Sequence, residues 1–329
     1  MYQADGTRYE KMEYAYCGHS GLKMPRVALG FWNNFGYPQS YETMRGIVRR
    51  AFDLGVTHMD LANNYGPPAG AAEENFGRIL KEDLGPYRDE LIISSKAGYS
   101  MWPGPYGDGG SRKYLMASLD QSLLRMGLDY VDIFYHHRVD RETPLEETMQ
   151  TLADIVRQGK ALYVGISNYR SEDMRRAYAI LKEMHVPLLI NQVNYSMLDR
   201  WVERDGLLDT CAELGVGSII FSPLQQGLLT DRYLKGIPQG SRADQNRTMR
   251  RDSVTPEVVA KVEKLNALAA RRGQTMAAMA LAWVLRGNKA GTVLCGASSP
   301  EQMEANVACL RNRTFTEEEL KQIDEILGS

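Results

Sequence analysis

Several short apolar runs in this chain end in a reactive group. Asp60 closes VTHMD, Lys96 closes LIISSK, and the pair His136–His137 closes YVDIFYHH. Tyr65 follows Asp60 by five residues, in NNYG. Each has an ordinary structural use: an aspartate caps a loop, a lysine snorkels to solvent, a histidine sits in a core. Together they form a proton donor. A phenol is a weak acid near neutral pH, and an ammonium close by is expected to lower its pKa. An aspartate keeps that lysine charged and oriented. A histidine donates a hydrogen bond to a carbonyl oxygen and holds it beside the phenol. No side chain supplies a hydride, so the chemistry implies a nicotinamide cofactor. Strand alternation groups His137 with Val131, Ile133 and Tyr135, and His136 with Asp132 and Phe134. Alternation alone leaves both histidines open. Lys96 also admits a second chemistry, imine formation as in a Schiff-base aldolase. Asp60 opposes it, because a carboxylate keeps the amine protonated.

These groups need elements to hold them. One pattern recurs: a helical segment ends in glycine, a short apolar run follows, and a polar loop comes next. Gly55, Gly159 and Gly215 stand where a left-handed residue ends a helix. The runs after them, with 26–30, 91–96, 130–137, 188–192 and 292–296, read as buried strands. Helices are expected near 41–53, 73–83, 111–126, 145–158, 171–184, 203–214, 257–272 and 300–310, with Ser111, Ser171 and Thr275 as N-caps. Eight β-α units predict a (β/α)₈ TIM barrel, with active-site residues at the C-terminal strand ends. A doubly wound sheet would usually carry GxGxxG after its first strand, and LGFWNNFG lacks that spacing. Residues 1–329 read as one domain, with an N-terminal hairpin closing the barrel bottom and TEEELKQIDEILGS as an added helix.

Composition excludes other classes. Lys and Arg number 39 against 41 Asp and Glu, a net charge of −2, which is wrong for a protein that neutralises nucleic-acid phosphates. Four scattered cysteines give neither a disulfide framework nor metal spacing and fit a reducing compartment, hence the cytoplasm. The polar start, MYQADGTRYEKMEY, lacks a signal-peptide core, and the apolar stretch 276–285 is too short to span a bilayer.

Asp60, Tyr65, Lys96 and His137, in FDLGVTHMDLANNYG, LIISSKAG and YVDIFYHHR, resemble the tetrad of the aldo-keto reductases. The resemblance runs on through GKALYVGISNY, NQVNYS, FSPLQQGLLTDRY and GASSPEQMEANV, nearly the whole chain. NNYGPP, SMWPGPYG and GGSRKYL look like the bacterial branch near the voltage-gated potassium-channel beta subunits. The family's histidine follows the aspartate of YVD by five residues, which selects His137. Channel beta subunits carry asparagine there, so the histidine favours a working reductase over an NADP-binding regulatory subunit.

The resemblance implies further roles. Ser167, Asn168 and Gln192 would hold the nicotinamide carboxamide. Gly30 and Trp32 would face that ring, and Phe221, Ser222, Pro223, Leu224 and Gly227 would lie along the cofactor. Gly296, Ala297 and Ser298, before a helix N-terminus, would receive phosphate. Arg232 and Arg242 match basic positions and point to NADP rather than NAD. Gln302 and Asn306 would meet the adenosine; Ala305, often Glu in relatives, departs from the pattern. Trp32, Tyr65, Trp102, Tyr106 and Arg138 are the substrate candidates, with Arg138 or Arg112 as the cation for a phosphorylated aldehyde. The implied reaction is NADPH-dependent reduction of small aldehydes and ketones, of the glyceraldehyde 3-phosphate or methylglyoxal type, by a homo-oligomer.

Overall fold

The computed structural model describes residues 2–246 and 248–328. Ten strands form: β1 (Tyr14–Tyr16), β2 (Lys23–Pro25), β3 (Val27–Gly30), β4 (His58–Asp60), β5 (Ile92–Ala97), β6 (Val131–His136), β7 (Ala161–Ser167), β8 (Leu188–Asn194), β9 (Gly217–Phe221) and β10 (Thr292–Cys295). β1 and β2 pair antiparallel as the N-terminal hairpin. The other eight close a parallel barrel in the order β10-β3-β4-β5-β6-β7-β8-β9. The expected TIM barrel is therefore the observed fold.

Among the described residues the α-helices are, in chain order, α1 (Tyr41–Asp53), α2 (Ala71–Ile79), α3 (Arg112–Met126), α4 (Leu145–Arg157), α5 (Ser171–Glu183), α6 (Trp201–Arg204), α7 (Leu207–Leu214), α8 (Arg242–Gln245), α9 (Pro256–Arg271), α10 (Met276–Val284), α11 (Pro300–Val307) and α12 (Glu317–Leu327). Gly55, Gly159 and Gly215 have φ of 80°, 72° and 69°, as the helix-stop pattern requires. Ser111 and Thr275 cap α3 and α10 through their hydroxyls. Ser171 does not cap α5: Arg170 holds that position, and the Ser171 hydroxyl donates to Asp205 instead. The single helix expected over 203–214 is two, because Gly206 takes φ 70° between α6 and α7. α2 starts earlier than expected and runs into a π-helical turn at Leu80–Leu84, and α11 ends in a 3₁₀ turn at Ala308–Arg311. α10 is buried at every position except the half-buried Ala277, which explains the apolar stretch 276–285. No described helix is long and apolar enough to cross a membrane.

Two apolar layers result. Ala28, Ile133, Tyr135, Ile190, Ile219 and Leu294 fill the barrel and continue into Cys17 and Met24 of the hairpin region. That end is plugged: the His19 amide donates to the Gly215 carbonyl at 2.8 Å, and a Cβ on Gly18 would sit 2.1 Å from the same oxygen. A larger layer joins the outer strand faces to the helices. All four cysteines are buried free thiols.

Candidate active site

Residues two apart on a strand share a face. His58 and Asp60 on β4, and Ser94 and Lys96 on β5, therefore share the interior face with Ile92 and Ile133. Register places Asp60 beside Ser94, and Lys96 beside Tyr135. The Lys96 Nζ donates to Asp60 Oδ2 at 2.6 Å and to the Leu61 carbonyl at 2.5 Å. Neither side chain of this pair is exposed. Asp60 Oδ1 accepts from the Ser94 hydroxyl at 2.8 Å and from Gln192 Nε2 at 3.0 Å. Space for the Tyr135 ring comes from Gly165 on the neighbouring strand, where a Cβ would lie 2.4 Å from the ring.

Tyr65 and His137 meet above this pair. Lys96 Nζ is 5.0 Å from the Tyr65 ring centre, and the Tyr65 and His137 rings stand edge to face at 5.8 Å. The four predicted tetrad residues thus converge on one mouth. His136 points the other way, and its Nδ1 hydrogen-bonds the buried Tyr169 hydroxyl at 2.7 Å. The structure thereby separates the two histidines that strand alternation alone had left open.

One electrostatic expectation is corrected. Burial pushes the Tyr65 hydroxyl well above the ordinary phenol range, and Asp60 and Tyr99 add to the rise. Desolvation outweighs the nearby ammonium, so the phenol is held protonated. Desolvation also lowers the Lys96 ammonium, opposed by Asp60. Burial, then Lys96, His136 and Arg138, hold the His137 imidazole well below its usual range and therefore neutral. A protonated phenol and a neutral imidazole N–H are both hydrogen-bond donors.

The residues expected along the cofactor are wired to this centre. The Ser167 hydroxyl donates to the Gln192 carbonyl at 2.9 Å, and Asn168 Nδ2 donates to the His137 carbonyl at 3.1 Å. Asn168 holds φ 61° to make that reach. Gly30 abuts Leu294, and Trp32 is exposed at the mouth. After Phe221, the stretch through Pro223 and Leu224 is backbone-strained: Ser222, Gln225, Gln226 and Gly227 all have positive φ, three of them non-glycine. Gly296 and Ser298 are exposed before α11, and the Ala297 carbonyl accepts from Asn34. The Gln302 side-chain oxygen accepts the Ser298 amide at 2.7 Å and its hydroxyl at 2.9 Å, so Gln302 shapes the loop as well as facing outward. Asn306 is buried with its Nδ2 unpartnered. Among the described residues, Arg232 and Arg242 have no carboxylate partner, and desolvation together with Arg232 pulls the Arg242 pKa down.

At the substrate end two expectations change. Arg138 is not a free cation: its Nε donates to the Gly98 carbonyl and its Nη2 pairs with Asp108, both at 2.8 Å. Arg112 pairs with Asp154 at 2.6 Å on the outside of α4. Trp102 packs on Tyr114 at 5.2 Å, and Tyr106 is exposed beneath Lys113. Sequence reasoning passed over Tyr99, whose ring meets His137 edge to face at 4.7 Å while Arg138 lies 4.9 Å from its centre. An aromatic three residues past a strand-end lysine was the available signal.

This geometry agrees with comparisons to known proteins. The profile of the aldo/keto reductase family matches residues 26–328. An L-glyceraldehyde 3-phosphate reductase of Escherichia coli (strain K12) is 57% identical over 330 residues, covering 99% of this chain and 95% of that one. The protein of the same name from Escherichia coli O157:H7 matches to the same extent. A putative voltage-gated potassium channel subunit beta from Schizosaccharomyces pombe is 33% identical, covering 97% and 94%. A family match over nearly the whole barrel, with the tetrad positions assembled at one mouth, makes the chain an oxidoreductase that belongs to the aldo/keto reductase family.

Proposed function

We propose that the protein reduces small aldehydes and ketones to alcohols with NADPH, and that Tyr65 is the proton donor. The observation that carries this reading is the buried Lys96–Asp60 pair lying under Tyr65 and His137 at one barrel mouth. The bound dinucleotide supplies the hydride that no side chain can. His137, held neutral, donates an N–H to the carbonyl oxygen and fixes it beside Tyr65. Tyr65 gives its proton to that oxygen as negative charge develops there. The Lys96 ammonium stabilises the phenolate left behind, and Asp60 keeps the ammonium charged and aimed. The same pairing opposes imine chemistry, since Lys96 directs its hydrogens at Asp60 and Leu61.

The residues present fit a phosphorylated dinucleotide. Arg242, partly buried beside Arg232 and with no acidic partner among the described residues, gains most from an anion of higher charge, which favours NADPH over NADH. The unpartnered Asn306 Nδ2 offers a donor on the α11 face, and the strained 222–227 loop fits a backbone shaped for a ligand. Gln192 and Asn168 connect the expected carboxamide site to Asp60 and His137, so hydride and proton ends are aligned through shared hydrogen bonds.

The relatives' name supports a small phosphorylated aldehyde as substrate. NADPH oxidation with glyceraldehyde 3-phosphate, methylglyoxal and an aromatic aldehyde tests the reading. Turnover with at least one is expected, with a preference for the first. Tyr65→Phe should lower kcat by about 10²–10⁴-fold, as for loss of a general acid, while NADPH still binds. No turnover with any carbonyl, or full activity in Tyr65→Phe, overturns it.

A further inference from the structure

We infer that His58 and Ser94 are positioning residues that aim Asp60 at Lys96 and so set the efficiency of proton transfer; this rests on the proposed reductase function. His58 lies one layer deeper in the barrel than Asp60, on the same face of β4. Its Nε2 is 2.9 Å from the Ser94 hydroxyl, which is 2.8 Å from Asp60 Oδ1, and Asp60 Oδ2 is 2.6 Å from Lys96 Nζ. All four residues have zero exposure. Water therefore does not compete for these bonds.

The direction of the chain follows from counting hydrogens. Ser94 has one, and a carboxylate oxygen can only accept. The hydroxyl therefore donates to Asp60, and its remaining capacity is to accept. His58 must then carry its hydrogen on Nε2 and leave Nδ1 bare. Nδ1 is buried and, among the described residues, has no hydrogen-bond acceptor that would hold the hydrogen there instead. Burial holds the ring neutral, down at about 4. In that tautomer His58 blocks the alternative in which Ser94 turns its hydrogen away from Asp60.

The consequence falls on catalysis rather than binding. A carboxylate with Oδ1 pinned by Ser94 and Gln192 presents Oδ2 to Lys96 in one orientation. Without Ser94, Oδ1 keeps only the longer bond from Gln192, and the carboxylate holds Lys96 under Tyr65 less strictly. Neither His58 nor Ser94 is among the residues expected to meet the carbonyl or the dinucleotide.

The test compares Ser94→Ala, His58→Phe, the double variant and Ser94→Thr in the full chain, with NADPH and an aldehyde that the wild type reduces. Ser94→Ala should lower kcat on the order of tenfold, as for one lost hydrogen bond to a charge, with KM and NADPH affinity unchanged. The solvent deuterium isotope effect on kcat should rise, because proton transfer becomes more limiting. Ser94→Thr should restore kcat, and the double variant should be no worse than Ser94→Ala, since His58 acts only through Ser94. Full kcat in Ser94→Ala, or additive losses with an unchanged isotope effect, overturns the inference. Nitrogen-15 spectra of histidine-labelled wild-type protein supply a readout independent of turnover: His58 should be protonated at Nε2, and an Nδ1–H tautomer overturns the chain. A wild type without carbonyl turnover overturns the proposed function and the catalytic role together, while the spectra still judge the hydrogen-bond chain.

Discussion

The two ends of the site treat charge in opposite ways. On the barrel floor every charge is paired and dry: Lys96 meets Asp60, and the second carboxylate oxygen has two neutral donors. At the rim, Arg232 and Arg242 repel each other, with no acid between them among the described residues, beside a loop with strained backbone. A buried ion is tolerable only with its partner in place. Arg232 can go unpaired because water reaches it, and the partly desolvated Arg242 beside it gains most from an arriving anion. The floor is built to be complete in the protein alone, whereas the rim is completed by ligand.

That contrast can be broken most sharply at Lys96. Lys96→Met leaves a buried carboxylate uncompensated and should cost about 3–5 kcal/mol in urea unfolding. Adding Asp60→Asn should recover part of that stability and none of the activity. Unchanged stability in the single variant would end the claim of a dry, paired floor. The opposite outcome is expected at the rim. Arg242→Ala should weaken NADPH binding by about 1.5–3 kcal/mol in a fluorescence titration, as for a lost charged hydrogen bond, and should leave NADH binding nearly unchanged. Its unfolding midpoint should not fall, because the change removes a repulsion.

Acid should find the interior before the rim. Burial holds His58 and His136 down at about 4, against an ordinary 6.5. The unfolded chain therefore binds protons first, so these groups' contribution is full above about pH 6.5 and is lost as pH falls toward 4. Each histidine should lower unfolding free energy by up to about 1.4 kcal/mol per pH unit in that window. Denaturation curves at several pH values measure the slope, and His136→Gln should flatten it. The smallest effect is expected at the mouth. Asp108→Asn frees Arg138 from an exposed ion pair of about 0.2–1 kcal/mol, so KM for a phosphorylated aldehyde should fall a few-fold with no change for a neutral one.

The frame of the molecule was legible because it depends on local rules. Left-handed glycines after amphipathic segments and short Val/Ile runs marked the repeating unit, and strand-end position marked Asp60, Lys96 and His137. What escaped depends on contacts between distant side chains. Sequence offers Arg138 and Arg112 as cations for a phosphate, and only the fold shows Asp108 and Asp154 paired with them. Ser171 read as a cap until Asp205, 34 residues away, took its hydroxyl. At Tyr65, spacing reveals a neighbouring ammonium but not the loss of water around the ring, which raises the pKa. Ser94 and His58 were invisible for a similar reason: their role appears only when register sets two strands side by side.

The buried thiols carry a last consequence. Burial pushes Cys17, Cys211 and Cys309 up to about 12, and holds Cys295 well above the usual thiol range too. At neutral pH these sulfurs stay thiols, and the thiolate is the form that attacks electrophiles. All four sulfurs are thus kept out of reach of electrophiles, and a carbonyl that modifies this protein is left its exposed lysines and arginines.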